Sequence, residues 1–417
     1  MENRYDKYKD SGIAWIGEIP EHWEIKSIKT IFVESKETCN GENSILLSLS
    51  QYTGIKPKIE TDLATSHIAE SYEGYKLVKK GQFVMNIMLA WNGSYAVSDY
   101  DGIISPAYCV FDFRRKVKEK YFHYLLRTSG YSEAFRTRSK GIIDSRLRLY
   151  PESFYKFDTI IPSLSEQQSI AAYLDQKCGE IDELITLQEE MITKLQSYKQ
   201  SVITEAVTKG LDKNVPLKDS GIEWIGKIPE HWEVKRLKNV CSQINIKENS
   251  KRNSLPYIGL ENIESGSGRY IDTISEIEGM ANRFCKNNVL FGKLRPYLSK
   301  VYLAEKDGIC SPEFIVYDTK SNNSRFIHKL LLSQPFIDVV NSSTYGAKMP
   351  RANGEFINNI YVQIPPLSEQ QSIADYLDQR CSEIDKLISI KQQKIEKLKE
   401  YKKSLIFECV TGKRKVS

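Results

Sequence analysis

The chain contains one unusual phrase twice, and this internal repeat restricts the possible folds more than any other feature. "SGIAWIGEIPEHWEI" runs from Ser11 to Ile25, and "SGIEWIGKIPEHWEV" runs from Ser220 to Val234. A phrase with two Trp, a Pro and a His does not arise from low-complexity sequence. Its two copies are separated by about half of the 417 residues, so the repeat predicts a duplicated structural unit.

A second pair of matching segments closes each half of the chain. "LSEQQSIAAYLDQKCGEIDELI" begins at Leu164, and "LSEQQSIADYLDQRCSEIDKLI" begins at Leu367. Between the matching ends, Gly141 and Arg146 align with Gly346 and Arg351, but the middle segments 30–140 and 239–345 differ widely. The matching ends therefore predict one structural role performed twice, and the middles are free to perform different roles.

The closing segments are predicted to be long helices that form a coiled coil. Pro162 precedes the first, Ser165 is the expected cap, and Gln168 follows three residues later, as in a capping box. Spacings of four and three residues define a seam in each copy. The first seam comprises Leu174, Cys178, Ile181, Ile185, Gln188, Ile192, Leu195, Lys199, Val202 and Ala206, and the second comprises Leu377, Cys381, Ile384, Ile388, Lys391, Ile395, Leu398, Lys402, Leu405 and Cys409.

The two helices are expected to pair with each other in antiparallel orientation. The first has an excess of acidic residues and the second an excess of basic residues, which favours mutual pairing. A helix of about 45 residues is about 65–70 Å long. The globular segment between the helices, about 150 residues, spans only about 40 Å, so it joins the end of one helix to the adjacent start of the other.

The opening phrase is predicted to attach each globular unit to the end of a helix. Its apolar residues are Ile13, Trp15, Ile19, Trp23 and Ile25 in the first copy, expected near Val410, and Ile222, Trp224, Ile228, Trp232 and Val234 in the second. Ordinary packing of these aromatic residues in the core of each unit is an equally compatible interpretation.

Composition and motifs exclude several classes of protein. Apolar content is 41%, charged content is 27% and the net charge is +5, as in ordinary globular proteins. No apolar run is long enough for a membrane span, the first residues lack a secretory signal, and the eight Cys form no CxxC pair, so a reducing cytoplasm is expected.

Catalytic motifs are missing as well. The sequence has no phosphate-binding loop, no GxGxxG after a strand and no HExxH, so neither a catalytic residue, a metal nor a cofactor is expected in this chain. His22 and His231 belong to the repeated phrase, where a structural role is favoured. Asp101 and Asp307 are the one duplicated catalytic candidate, and a turn before a strand explains them more simply.

The divergent middles combine strand-like stretches, a short helix and clusters of basic residues. The predicted fold class is therefore α+β, with two mixed globular domains at 1–161 and 211–364 and long helices at 162–210 and 365–417. Basic and aromatic loops suit contacts to phosphates and base edges, although each cluster is also compatible with a solvated surface. The DNA-binding candidates are Arg138, Lys140, Arg146 and Arg148 in the first domain, and Lys293, Arg295, Lys348 and Arg351 in the second.

The repeated phrases resemble the specificity (S) subunits of type I restriction-modification systems. "YKDSGIAWIGEIPEHWEI" and "LKDSGIEWIGKIPEHWEV" are similar to the segments that open the target recognition domains of that family. "IPSLSEQQSIAAYLDQK" and "IPPLSEQQSIADYLDQR" are similar to the start of its conserved helices, and "LRPYLSK" at Leu294 resembles a phrase of its recognition domains. The first unit has "IMLAWNGSY" in place of that basic loop, so the loop is not expected there.

The resemblance implies a non-catalytic subunit that gives DNA sequence specificity to a multi-subunit endonuclease and adenine methyltransferase. Each recognition domain would read one half of a split DNA target, and the helices would set the spacer. Two modification subunits with S-adenosylmethionine would bind the helices, and restriction subunits would use ATP and Mg²⁺. Gln167, Gln168, Gln370 and Gln371, expected to be exposed, are candidate partner contacts or simply solvated residues.

Two other classes of function remain compatible with the residues. A two-headed scaffold that binds only proteins would lack salt-dependent DNA affinity. A stand-alone enzyme with duplicated sites is disfavoured, because no catalytic set occurs in both halves.

Overall fold

A computed structural model describes residues 4–39, 45–51, 53–58, 72–143, 146–249, 254–273, 279–346 and 348–416. The chain divides into two compact units: Met1–Leu187 with Gln393–Ser417, and Gln188–Gln392. Each unit thus combines one globular part with a portion of each of two long helices.

The first unit contains mostly short strands. Its strands are β1 Tyr8–Asp10, β2 Glu18–Pro20, β3 Glu24–Ser27, β4 Phe32–Ser35, β5 Leu47–Ser50, β6 Gly54–Pro57, β7 Lys76–Val78, β8 Phe83–Asn86, β9 Tyr95–Val97, β10 Gly102–Ile104, β11 Tyr108–Phe113 and β12 Asp158–Ile161. Its short helices are α1 Glu119–Leu126, α2 Ser129–Arg138 and α3 Pro151–Phe154. The long helix α4 Leu164–Lys209 follows β12.

The second unit repeats this order with small differences. Its strands are β13 Leu217–Asp219, β14 Lys227–Pro229, β15 Glu233–Arg236, β16 Ser242–Ile244, β17 Lys247–Asn249, β18 Tyr257–Ile258, β19 Met280–Phe284, β20 Val289–Gly292, β21 Val301–Leu303, β22 Gly308–Cys310, β23 Phe314–Asp318 and β24 Tyr361–Ile364. Its short helices are α5 Leu237–Val240, α6 Ser324–Leu332, α7 Gln334–Ser342 and α8 Gly354–Asn359, and the long helix α9 Leu367–Val410 follows β24.

Sheet topology confirms the internal repeat and the mixed fold class. The central antiparallel sheet has the order β4-β11-β8-β9 in the first unit and β16-β23-β20-β21 in the second. In each unit the last strand pairs with the strand that ends the opening phrase, β12 with β3 and β24 with β15. Two helices, α1–α2 or α6–α7, follow the long central strand of each unit.

Both faces of the inner strands β8 and β20 are buried, which explains why these two strands are almost continuously apolar. In β8, Phe83 and Met85 belong to one apolar core, and Val84 belongs to another. In β20, Val289 and Phe291 belong to one core and Leu290 to a second, as expected because successive side chains of a strand point to opposite faces.

The long helices lie in antiparallel orientation, as predicted. In the first unit, the start of α4 lies beside the end of α9, because the carbonyls of Ile160, just before α4, and of Val410, the last residue of α9, both lie within 3.5 Å of the Tyr121 hydroxyl. Further along α4, Asp182 pairs with Lys402, which precedes Val410 in α9. The second unit shows the same direction. Lys199 pairs with Asp385, and the Gln363 amide, just before α9, donates to the carbonyl of Val207 near the end of α4. Every residue of both predicted seams is buried or half-buried, so the coiled-coil pattern is confirmed.

The start of α4 differs from the prediction by two residues. Ser163, not Ser165, is the cap: its hydroxyl accepts from the Glu166 backbone N–H at 3.3 Å, and the Glu166 carboxylate accepts from the Ser163 backbone N–H at 3.1 Å. This is a reciprocal capping box, and Gln168 takes no part in it. Among the residues that the structure describes, no helix is sufficiently long and apolar to span a bilayer.

The opening phrase has two separate roles, so both interpretations of its aromatic residues hold. Trp23 is fully buried in one core with Cys409 and Val410 at the end of α9. Trp15 packs instead against Tyr131 of α2, with ring centroids 5.5 Å apart. The second unit repeats this division, since Trp232 shares a core with Val207 near the end of α4 and Trp224 packs against Phe336 of α7.

Candidate nucleic-acid interface

Two segments of the second unit, about 50 residues apart in sequence, bring its four DNA-binding candidates together. The Arg295 backbone N–H donates to the Pro350 carbonyl at 2.7 Å, and the Ala352 N–H donates to the Lys293 carbonyl at 2.9 Å. A β-bridge also joins Leu294 to Arg351. Residues 293–295, which directly follow β20, therefore form one basic surface with residues 345–346 and 348–351.

The loop after β20 has an uncommon backbone conformation, in which Lys293 and Arg295 are half-buried and Tyr297 is exposed. Arg295 and Ser299 have φ values of 50° and 49°, in the left-handed region that non-glycine residues rarely adopt. A single 3₁₀ turn, Pro296–Leu298, lies between them, and Tyr297 is 52% exposed. Such strained positions persist only where surrounding contacts hold them, and they concentrate at binding sites.

The cations of this surface are not equivalent. The side chains of Lys293, Arg295 and Lys348 have no hydrogen-bond or ion-pair partner within the described part of the chain. Arg351 differs, because its Nη2 lies 2.6 Å from Oε1 of Glu313. Three of the predicted residues are therefore available for an external anion, and Arg351 is already held by a carboxylate.

The first unit builds its basic surface from a corresponding hairpin. Lys140 and Arg148 exchange two backbone hydrogen bonds of 2.9 Å, and the Leu149 N–H donates to the Ile87 carbonyl at 3.0 Å. Tyr345 and Arg351 exchange the same kind of pair in the second unit. The structural counterpart of Arg351 is therefore Arg148, and the alignment with Arg146 was wrong because the first hairpin is two residues longer.

Three of the four candidates in the first unit are exposed. Arg138, Lys140 and Arg146 have no hydrogen-bond or ion-pair partner within the described ranges, although the Arg138 guanidinium lies 5.0 Å from the centre of the Phe157 ring. Arg148 is half-buried, and its Nη1 donates to the Leu147 carbonyl at 2.9 Å. Arg148 therefore serves mainly to close the hairpin, and the other three residues are the exposed cations of this surface.

The loop after β8 lacks the basic residues of its counterpart, as the sequence predicts. The turn Ala90–Asn92 replaces the basic turn, and Trp91 is the large side chain that it offers. Arg136 of α2 lies over the Trp91 ring at 5.7 Å, a contact that sequence reasoning missed. The signal for it was the run "RTRSK", in which Arg136 precedes the two predicted cations.

The duplicated histidines of the opening phrase clamp the starts of the long helices. His22 Nε2 lies 2.9 Å from Oε1 of Glu166, and the Trp23 indole N–H donates to the same atom at 3.2 Å. Burial alone would raise the pKa of Glu166, but hydrogen bonds from Ser163, His22 and Trp23 outweigh it and hold the pKa at about 2. The carboxylate is therefore ionised in the clamp.

The second unit repeats the clamp. His231 Nε2 lies 2.5 Å from the Glu369 carboxylate, and the Trp232 indole N–H donates to it at 2.9 Å. The structural role predicted for His22 and His231 agrees with both clamps.

Two of the four glutamines proposed as partner contacts are not exposed. Gln167 is 2% exposed, accepts from the Lys118 N–H at 3.0 Å and donates to the Pro162 carbonyl at 2.9 Å. Gln370 is also 2% exposed and makes the equivalent bonds with Asn323 and Pro365. These two side chains pair with backbone groups that are buried where the start of a long helix meets α1 or α6. Buried backbone groups require hydrogen-bond partners, so these glutamines are buried although they lie outside the seam.

Gln168 and Gln371, in contrast, are exposed as expected. The Gln371 carbonyl oxygen accepts from the Asn323 side chain at 2.6 Å, and no hydrogen bond of the Gln168 side chain is found in the described part of the chain.

Comparison with known proteins gives a consistent result. Residues 229–400 match the family model described as the type I restriction modification DNA specificity domain. The chain is 24% identical to the type I restriction enzyme MjaVIII specificity subunit of Methanocaldococcus jannaschii, over 95% of this chain and 94% of that protein. It is 23% identical to the type I restriction enzyme EcoDI specificity subunit of Escherichia coli, over 78% and 77% of the two chains.

Solved structures support the fold. A chain from a study of complex assembly and conformational transition of the type I R-M system superposes with a TM-score of 0.68 at 15% identity, covering 94% of this chain and 98% of that one. The HsdS subunit from Thermoanaerobacter tengcongensis gives a TM-score of 0.52 at 16% identity, with the same coverage.

The internal repeat and these matches give the chain the fold of the DNA specificity subunits of type I restriction-modification systems. Within this group, residues 229–400 match a type I restriction modification DNA specificity domain, and the chain as a whole is similar to type I restriction enzyme specificity subunits, as its repeated phrases predict. The domain match and the similar proteins support DNA sequence specificity as the function of this chain.

Proposed function

We propose that each unit reads one half of a bipartite duplex target, and that the paired helices set the spacing between the halves. The observation that carries this proposal is the basic hairpin at the same position in both units, on matching sheets but with different side chains. Matching frames would present both hairpins to DNA in the same manner, and different side chains would select different bases. Cations position the phosphates, and base-edge contacts supply the specificity.

The proposal includes two copies of one methyltransferase subunit bound to the helices. Exposed apolar residues recur at equivalent positions, with Leu184 and Leu187 on α4 repeated as Leu387 and Ile390 on α9. Such repetition suits two identical partners. Gln168 and Gln371 remain candidate contacts. S-adenosylmethionine would belong to these partners, and ATP and Mg²⁺ would belong to restriction subunits, so this chain would contribute no catalytic group.

A cytoplasmic location is part of the same proposal, because the partners and their DNA substrate would be found there. Each of the eight cysteines is a free thiol, which is typical of proteins in a reducing compartment.

Co-expression with the methyltransferase subunits, followed by mapping of methylated adenines, tests the bipartite target. Replacing residues 30–140 by those of a relative should change one half of the methylated sequence and leave the other intact. A change in both halves, or in neither, would contradict the modular proposal. Lengthening both helices by two turns should widen the spacer, and an unchanged spacer would show that the helices do not set it.

A second experiment targets the basic surface of the second unit. The double variant K293A/R295A removes two cations that have no partner in the described part of the chain. Binding of the target duplex by the complex should fall about 10- to 100-fold, with a weaker dependence on salt. Lys306, an exposed residue between β21 and β22, supplies the control K306A, which should bind as the wild type does. DNA binding without salt dependence or sequence preference would instead favour the protein scaffold.

A further inference from the structure

Both basic hairpins carry apolar side chains that contact little of the protein. In the first unit, Ile142 is 100% exposed and Ile143 is 53% exposed. In the second, Met349 is 59% exposed on the hairpin closed by Tyr345 and Arg351. Isoleucines this exposed contribute little to the stability of the fold, because neither side chain is buried in a core.

The hairpin backbone holds these side chains in place. Lys140 and Arg148 close the first hairpin, and Gly141 directly precedes Ile142 with φ of 152°. A Cβ on Gly141 would lie 2.5 Å from the Arg146 carbonyl oxygen, so only glycine permits so close a crossing of the two strands. Gly346, with φ of 92°, occupies the equivalent position after Tyr345. The closing pair of residues and the glycine that follows its first member therefore recur in both units.

Charge decides which partner these tips fit. Arg138, Lys140 and Arg146 flank the isoleucines, and Lys348 is adjacent to Met349; all four are exposed without an ion-pair partner in the described residues. Covering the tips with an apolar protein surface would bury these charges unpaired, at high cost. A DNA groove avoids this cost, because the cations meet phosphates while the apolar atoms reach the base edges.

The major groove offers one apolar group, the 5-methyl of thymine, and it is wide enough for a two-stranded ribbon. We propose that the hairpin tips read thymine methyl groups, with Ile142 and Ile143 acting in one half of the target and Met349 in the other. This inference rests on the proposed bipartite reading and adds to it an apolar, base-specific contact.

The test uses the complex of the full chain with its methyltransferase subunits, on the target found by methylation mapping. Fluorescence anisotropy would measure the binding of three duplexes: the target, the target with deoxyuridine in place of each thymine in turn, and a scrambled sequence. The variants are I142A/I143A and M349A. Ile45 and Ile246, 57% and 55% exposed elsewhere in the same units, supply the matched controls I45A and I246A.

We expect I142A/I143A to bind the target about four- to sixteenfold more weakly, at about fourfold for each of one or two lost methyl contacts. Its affinity for the scrambled duplex and its salt slope should be unchanged. Deoxyuridine at one thymine of that half should weaken the wild type by a similar factor and should not weaken the variant further. M349A should behave in the same way for the other half. The controls should match the wild type.

Several outcomes would overturn the inference. Target binding by both variants that equals the wild type would do so, as would insensitivity of the wild type to deoxyuridine at every thymine. If the losses of affinity caused by the variant and by deoxyuridine were additive, the hairpin tip and the thymine methyl group would not contact each other. Enhanced 2-aminopurine fluorescence on binding, lost in I142A/I143A, would mean that the tip unstacks bases instead. If the wild-type complex showed no preference among duplexes, the proposed function itself would fail.

Discussion

The seam between α4 and α9 contains two equivalent Lys–Asp ion pairs, one in each unit, that differ in burial. This difference predicts unequal effects of removing the carboxylate from each pair. Lys199 contacts both oxygens of Asp385 at 2.8 and 2.7 Å, and Lys402 contacts both oxygens of Asp182 at 2.7 Å. The Lys199 side chain is only 11% exposed, whereas that of Lys402 is 27% exposed. Removing the carboxylate therefore leaves a more deeply buried ammonium in the second unit than in the first.

The expected cost follows from this difference. A fully buried charge that loses its partner costs about 3–5 kcal/mol, and an exposed pair contributes about 0–1 kcal/mol. Asp385 is half-exposed, so water partly replaces it, and we expect D385A to lower the local opening free energy by about 1.5 kcal/mol. D182A should cost about 0.5 kcal/mol. The double variant K199M/D385A places an apolar residue in the seam and should recover most of the loss.

Hydrogen exchange measured by mass spectrometry reports each helix segment separately. Amides of residues 195–205 should exchange about tenfold faster in D385A, because about 1.4 kcal/mol corresponds to a factor of ten. Amides of residues 398–408 should exchange about twofold faster in D182A. An effect of D182A equal to or larger than that of D385A would refute the burial argument, and so would a K199M/D385A variant as labile as D385A.

Two further predictions concern buried groups. Burial, together with nearby Lys and Arg charges, lowers the pKa of His123 and His328 from 6.5 to about 3, so below pH 6.5 the unfolded chain binds protons that the folded chain does not. The unfolding free energy should therefore fall by about 1.4 kcal/mol per pH unit per histidine as the pH decreases from 6.5 to 3. In urea unfolding, the decrease in unfolding free energy between pH 7 and pH 5 should be smaller for H328Q than for the wild type. Gln370 satisfies a buried N–H and a carbonyl, so Q370A should lower the unfolding free energy by about 1–3 kcal/mol, whereas Q371A, at an exposed position, should change it by less than about 0.5 kcal/mol. Equal effects of the two glutamine variants in urea unfolding would contradict the assigned role of Gln370.

Features that depend on local pattern could be predicted from the sequence. The alternation of apolar residues defined both seams, and the difference in charge between the helices indicated their pairing. Asp101 and Asp307 were predicted to be turn residues, and their side chains accept from the backbone N–H groups of Lys80 and Lys286, each at 2.8 Å. The seams were predictable because their residues recur at a fixed period, and the two Asp residues because they recur in both halves, although each accepts from an N–H 21 residues earlier.

Features that depend on distant partners could not be predicted in this way. The period of α4 indicates that Gln167 lies outside the seam, but it cannot show that α1 covers that face. Similarly, nothing near Arg351 indicates that Glu313, 38 residues earlier, holds its guanidinium. The length of the first hairpin, which makes Arg148 the counterpart of Arg351, also became visible only through the backbone hydrogen bonds.

The amino-acid sequence by itself determined that this protein consists of two like frames with unlike middles and a pair of opposed helices, because repetition and periodicity are written along the chain. Only the tertiary structure decided which cations face solvent, which are held by carboxylates, and which apolar tips project beside them. Those properties arise where strands and loops far apart in sequence meet, since burial and charge pairing are set by neighbours in space.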